Sequence, residues 1–230
     1  MTSEIAALVL FCIALFEHER DKPVTVFTLL IISVFLFWLG AFVAWAKKNS
    51  KLEEIEKAKP KIKLSGPNAV HILPNVTQTY GDTQQGPVPF LLIRFINEPL
   101  GPFPSAKAND VRATISYYSE SEFKPFLSID GRWSDSDQPS AVNPLKSKSH
   151  LLATTFGIGQ KHDLDVAYRD VQTGKYFAWN NDNYSYAFFR CDEHLLIGDR
   201  FKVDVHLLGE WVDQHFSFKF RTTDNGFTLD

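Results

Sequence analysis

Hydrophobic and polar positions fall into two textures along this chain. From Val24 to Ala46 the run VTVFTLLIISVFLFWLGAFVAWA carries no charge, which predicts a helix. At 1.5 Å per residue it reaches roughly 34 Å, enough for a bilayer core of about 30 Å. Trp45 closes it, and Lys47 and Lys48 follow at once, the usual interfacial anchors. An earlier apolar run, Ile5 to Phe16, makes only about 18 Å of helix. Glu4 in the leader and the ending LFEHER do not fit a signal peptide, and Phe11 before Cys12 does not fit a lipoprotein cleavage site. The expectation is a short first helix forming a hairpin with the second. In KKNSKLEEIEKAKP, Glu53 precedes Lys57 by one turn and Pro60 stops the helix. The organisation read from this is a membrane anchor over 1–46 (short segment 5–16, main span 24–46), a helical stalk over 47–60 and a β domain over 61–230.

Beyond Pro60, short apolar runs alternate with Pro, Gly, Asn and Asp. Candidate strands are KIKL, AVHIL, VPFLLIRFINE, DVRATISYYS, PFLSID with RWS, HLLATTFG, HDLDVAYRD, KYFAWN, YSYAFFR, RFKVDVHLL and WVDQHFSFKFRT. Many short strands at this spacing predict an antiparallel sandwich or a barrel. Ser134 to Ser149 reads as a long mobile connection. WNNDNYSYAFFR, Trp179 to Arg190, offers Asn180, Asn181, Asp182 and Asn183 as calcium oxygens and Trp179 with Tyr184 as a sugar platform. It lacks the alternating ligands and glycine of a calcium loop, so a turn between the strands KYFAW and YSYAFF is preferred. Asp130-Gly131 signals a hairpin that puts Trp133 on a neighbouring strand as a core anchor. Asp163 and Asp165 are expected on a wetted strand face.

The last hairpin allows a register to be written. Gly209-Glu210 fits a two-residue turn with glycine first. That pairs Leu207 with Val212 and Val203 with Phe216, and places Phe201, Val203, Val205 and Leu207 on a core face with Val212, Phe216, Phe218 and Phe220. On the other face His206 falls opposite Asp213, and Asp204 opposite His215. Two imidazoles and two carboxylates are a donor set for a divalent ion. A flat sheet spreads its side chains, so cross-strand His–Asp contacts are the preferred reading and no metal is expected.

A strand ending FINEP followed by AKANDVRATISYY resembles bacterial adhesion-type immunoglobulin-like modules. GRWSD, WNNDNYSY and GEWVDQHFSFKF together resemble uncharacterised prokaryotic membrane-tethered proteins with an immunoglobulin-like domain. The resemblance implies a fold and brings no activity. The fold class expected is therefore mainly β: an N-terminal transmembrane helix or helical hairpin followed by an immunoglobulin-like antiparallel sandwich. Twenty Phe against one Met favour pleated, half-buried surfaces.

A net charge of −3 excludes a basic nucleic-acid face. Cys12 and Cys191, far apart, give no disulfide framework. No phosphate loop, HExxH, CxxC or GxSxG occurs, and His194 three residues after Cys191 does not make a nucleophile–base pair on a strand exit. Hence no catalytic residue, cofactor or enzymatic activity is expected. Lys47, Lys48, Lys51, Lys57 and Lys59 follow the main span, whereas only Arg20 and Lys22 closely precede it. This places the large domain at the cytoplasmic side of an inner membrane. The expected partners are the bilayer and another protein, with self-association through the helices. The function expected is a membrane-anchored binding or scaffolding module. The alternative is a ligand-sensing barrel effector, which resembles bacterial defence effectors with two N-terminal helices; Arg94, Arg112 and Arg169 are the cations to find in its cavity.

Overall fold

The computed structural model of the chain describes residues 23–80, 83–100, 106–137 and 152–230. The short apolar segment 5–16 and most of the connection 134–149 lie outside the described residues. The chain divides into two compact units between Glu56 and Lys57. Helix α1, Pro23–Ala58, runs unbroken from the apolar stretch through the charged stalk. By length and composition it can cross a bilayer, and its large apolar side chains, Phe27, Phe37 and Trp45 among them, are exposed. It ends two residues before Pro60, which cannot continue a helix.

The second unit is mainly β and holds two antiparallel sheets. In the first, β3 (Thr83–Asn97) pairs with β8 (Lys161–Arg169) at the centre. β1 (Ile62–Leu64) and β2 (Val70–Tyr80) pair in succession with β3, while β6 (Arg132–Trp133) and β9 (Tyr176–Ala178) pair with β8. The second sheet runs β12 (Gly226–Leu229), β11 (Val212–Thr223), β10 (Arg200–Gly209), β4 (Ala108–Ser119). β5 (Leu127–Asp130) and β7 (Thr154–Phe156) share the remaining side of β4. Leu91, Ile93 and Phe95 of the first sheet meet Ile115, Tyr117, Val203 and Val205 of the second, all fully buried. Side-chain hydrogen bonds cross between the sheets. The Tyr117 hydroxyl donates to the Val166 carbonyl at 2.7 Å, and Trp133 Nε1 donates to the Val111 carbonyl at 3.0 Å. Each satisfies the one polar atom of a side chain otherwise suited to burial. The body is therefore sandwich-like.

Three local expectations are corrected. Gly131 does not turn a hairpin: β5 pairs with β4 in the second sheet, and β6 pairs with β8 in the first. The chain changes sheets at Gly131, where an added Cβ would lie 2.8 Å from Ala113 Cβ and 2.9 Å from Leu164 Cδ1. Glycine is there for close packing, not for a turn conformation.

Gly209 is likewise not a turn residue. It pairs with Val212, so the turn is Glu210-Trp211, with Trp211 at φ 62. A Cβ on Gly209 would meet the Asn109 carbonyl at 2.9 Å. The register is thus displaced by one residue on each strand: Leu207 pairs with Gln214 and Val203 with Phe218. Because the displacement is even, the inward face keeps its members.

Finally, YSYAFFR is not a strand. Residues Asn181–Ser185, Ala187–Phe189 and Asp192–His194 form short 3-10 turns, with Phe188 and Phe189 at φ 54 and 62. Two consecutive left-handed residues cannot stay in a ladder. A further strand, β12, lies against β11.

Gly131→Ala overpacks the junction between the sheets. Equilibrium denaturation of the full chain should show a loss of about 1–3 kcal/mol; an unchanged midpoint would contradict the close approach.

Candidate functional site

Strand β3 reads VPFLLIRF and is apolar on both of its faces. Leu91, Ile93 and Phe95 enter the main core, whereas Val88, Phe90 and Leu92 belong to a second buried cluster with Tyr168, Phe177, Trp179 and Phe189. That cluster lies on the outer face of the first sheet and is closed by the 3-10 segment. Phe90 and Tyr168 stack at 5.7 Å, and Trp179 stands edge-on to both at 5.1 and 5.0 Å. Tyr184 packs edge-on to Trp179 at 5.3 Å.

The amide-rich stretch fastens this cover. Asn180 Oδ1 accepts from the Asp182 amide at 2.8 Å, and Asn183 Oδ1 accepts from the Asn180 amide at 2.9 Å, closing a reciprocal cap. Asn183 Nδ2 and the Tyr168 hydroxyl both donate to the Phe189 carbonyl. His194 Nδ1 lies 3.1 Å from Asn183 Oδ1, and burial holds its imidazole below the ordinary histidine range despite Asp182 and Glu193 nearby. Arg190 Nε donates to Asp170 at 2.6 Å, tying the far end to the β8–β9 loop. Asp170 sits below the ordinary carboxylate range: burial opposes this, but bonds from Arg190, Thr173 and the Gln172 amide prevail. Asn180 and Asn183 are buried, and their side chains are engaged in these bonds of the cover. Asn183, in a glycosylation-type triplet, is fully enclosed.

Next to the aromatic cluster the same outer face turns ionic. Asp165 pairs with Arg132 across β6–β8, and Asp163 with Arg94 across β3–β8. Arg132 is 3% exposed and Asp165 is 6% exposed, against the expectation of a wetted face. Arg132 Nη1 donates to Asp165 Oδ2 at 3.0 Å, and Ser134 Oγ to Asp165 Oδ1 at 2.5 Å. Burial raises the Asp165 pKa; the bonds from Ser134 and Arg132 pull against it without cancelling it. Arg132 also donates to the carbonyls of Trp133 and Ser136, while its Nε is buried without a hydrogen-bond partner. The guanidinium carbon lies 5.6 Å from the Tyr184 ring centre.

At this boundary opens a cavity of about 290 Å³, lined by Arg132, Ser134 and Asp165 together with Phe90, Trp179 and Tyr184. Its chemistry is a neutralised ion pair, one buried N–H donor and several ring surfaces. That combination suits a planar group carrying a hydrogen-bond acceptor. Among the described residues, no lysine, histidine or cysteine lines it. A polyphosphate would therefore meet no free cation there.

The residues singled out from sequence are distributed as follows. Arg94 is bidentate to Asp163 at 2.8 and 2.7 Å, outside the cavity, and Arg112 and Arg169 do not line it either. Cys191 is buried beside the cover, and His194 turns to Asn183 instead of the thiol. His206, Asp213 and His215 do come together, but Asp204 does not join them. It lies opposite Ser217, whose hydroxyl it binds at 2.5 Å, and accepts from Lys202 at 3.0 Å. Arg132 is hard to single out in the sequence, because an arginine in GRWSD looks like an exposed turn residue. The signal for it is the alternation that puts Asp165 two residues from Asp163 on a strand with apolar neighbours.

No known family profile matches this chain, and no curated protein is similar enough to count as a relative.

Asp165→Ala leaves the Arg132 charge buried and unpaired. It should cost about 3–5 kcal/mol, while the joint replacement Arg132→Met with Asp165→Leu should recover most of that. Chemical denaturation of both variants checks this, and equal losses in the two would contradict it.

Proposed function

We propose that this chain is a membrane-anchored binding module: α1 lies across an inner membrane and holds the β body at its cytoplasmic side. The observation that carries the reading is the coupling of one long exposed apolar helix to a body that offers a recognition cleft. Five lysines follow the span at Lys47, Lys48, Lys51, Lys57 and Lys59, which supports the cytoplasmic orientation. The mechanism is tethering, since confinement to the membrane plane raises the effective concentration of the body towards anything bound nearby. In this reading the body is an immunoglobulin-like sandwich, supported by its two antiparallel sheets and cross-core Tyr and Trp bonds. A protein partner and self-association through the helices belong to the same proposal.

A fluorescent protein fused after Asp230 tests anchoring and orientation together. The fusion should be fluorescent and remain in the membrane pellet after alkaline wash, and removal of residues 1–46 should release it. A soluble full-length fusion, or activity of an alkaline phosphatase fused at the same point, would contradict the reading.

The Arg132–Trp179 cavity favours a second reading, in which the body senses a small planar ligand and passes its binding to the helices. An anionic naphthalene dye is a suitable probe. Its emission should rise with the full chain and weaken several-fold in affinity on Tyr184→Leu. Equal binding by that variant would remove the cavity from consideration.

A further inference from the structure

We propose that His206, Asp213 and His215 form a binding site for a divalent transition ion of the zinc type on the outer face of the β10–β11 hairpin. The observed register creates it. His206 lies directly opposite His215, and Asp213, two residues before His215 on the same strand, shares its face. The two imidazoles are parallel, with an interplanar angle of 7° and ring centres 4.0 Å apart. Asp213 Oδ1 lies 2.8 Å from His206 Nε2 and 3.9 Å from His215 Nε2. The three ligand atoms all lie within 4.8 Å of one another.

A tetrahedral zinc with bonds of about 2.0–2.1 Å needs ligand atoms roughly 3.3 Å apart. The His206–Asp213 pair must open and the His215–Asp213 pair must close by about half an ångström each, and the parallel rings must tilt so that one ion lies in the plane of both. All three side chains are at least 36% exposed, so rotation about χ angles suffices and the strand backbone need not move. Two neutral imidazoles and one carboxylate favour zinc, copper or nickel over magnesium, which prefers oxygen ligands and octahedral geometry. The fourth position faces solvent and takes water.

Neighbouring charges come from β4 and β5. Arg112 is opposite Leu208, and Thr114, opposite His206, pairs on its other side with Asp130. Asp204, the fourth residue of the sequence-derived set, is held away by Ser217 and Lys202.

The test is zinc titration of the detergent-solubilised full chain, purified without a polyhistidine tag. Calorimetry gives the stoichiometry, and imidazole NMR gives the residues. One equivalent should bind, shifting the His206 and His215 ring resonances together. His206→Ala and His215→Ala should each weaken binding by at least about tenfold, since even outer-shell changes cost 10–100-fold at metal sites. Asp213→Asn should weaken it less, and magnesium should not compete. All three positions are on the surface, and unchanged far-UV circular dichroism confirms that the variants fold. Absence of zinc binding up to millimolar concentration, or binding that survives both histidine substitutions, overturns the proposal.

Discussion

A strand that is apolar on both faces must be covered twice. β3 imposes this constraint on the body: Leu91, Ile93 and Phe95 require a second sheet, and Phe90 and Leu92 require something on the opposite side. Burying such a side chain is worth roughly 1.5–3 kcal/mol relative to leaving it in water. The outer aromatic cluster is therefore a substantial part of what stabilises the fold. Among the described residues, no third sheet supplies the cover. The chain instead folds the segment from Trp179 to Leu195 back over the sheet in 3-10 turns, with Phe189 pointing inward and its carbonyl doubly bonded.

The cover does not reach the whole face. Where it stops, the sheet changes from rings to the Arg94–Asp163 and Arg132–Asp165 pairs, and the cleft opens at that border. An ion pair of this burial is a weak source of stability, because desolvation offsets much of its attraction. Its physical consequence is a polar group fixed in place by Ser134, Trp133 and Ser136 in a cleft also lined by packed rings. Such preorganisation is what a recognition site needs. The membrane helix, in the proposed arrangement, decides only where that recognition happens.

Much of the architecture is legible in the residues. The uncharged run 24–46 gives the helix, and alternation gives most strands, because side chains of period two report a one-sided face directly. The readings that failed share a cause. In the sequence Gly131 and Gly209 look like turn glycines, yet both are glycine because another strand passes too close for a Cβ, and that approach is long-range. YSYAFFR has strand-like composition, but Asn180 and Asn183 lock the preceding loop into a 3-10 turn. The burial of Phe189 then overrides β propensity. VPFLLI carried the clue in plain sight: an unbroken apolar run marks a strand buried on both faces, and it implied a cover before the cover was identifiable. The site followed the same pattern. Asp165 was visible as a carboxylate on β8, but its partner Arg132 arrives through a change of sheet that local patterns do not encode.

The hairpin shows how small a register error matters. An even displacement left the inward face intact, yet it exchanged the partners outside. His206 came to face His215, and Asp204 moved away to Ser217. Fold is robust to such a displacement; surface chemistry is not.

Residues 179–195 form a packed second cover and not a surface loop. Hydrogen–deuterium exchange on the full-length protein distinguishes the two. Peptides spanning Trp179–Leu195 should exchange far more slowly than the exposed turn at 171–175 and approach the protection of β8. Exchange as fast as that turn would mean that the outer face of β3 is uncovered and that the cleft beside Arg132 does not exist in solution.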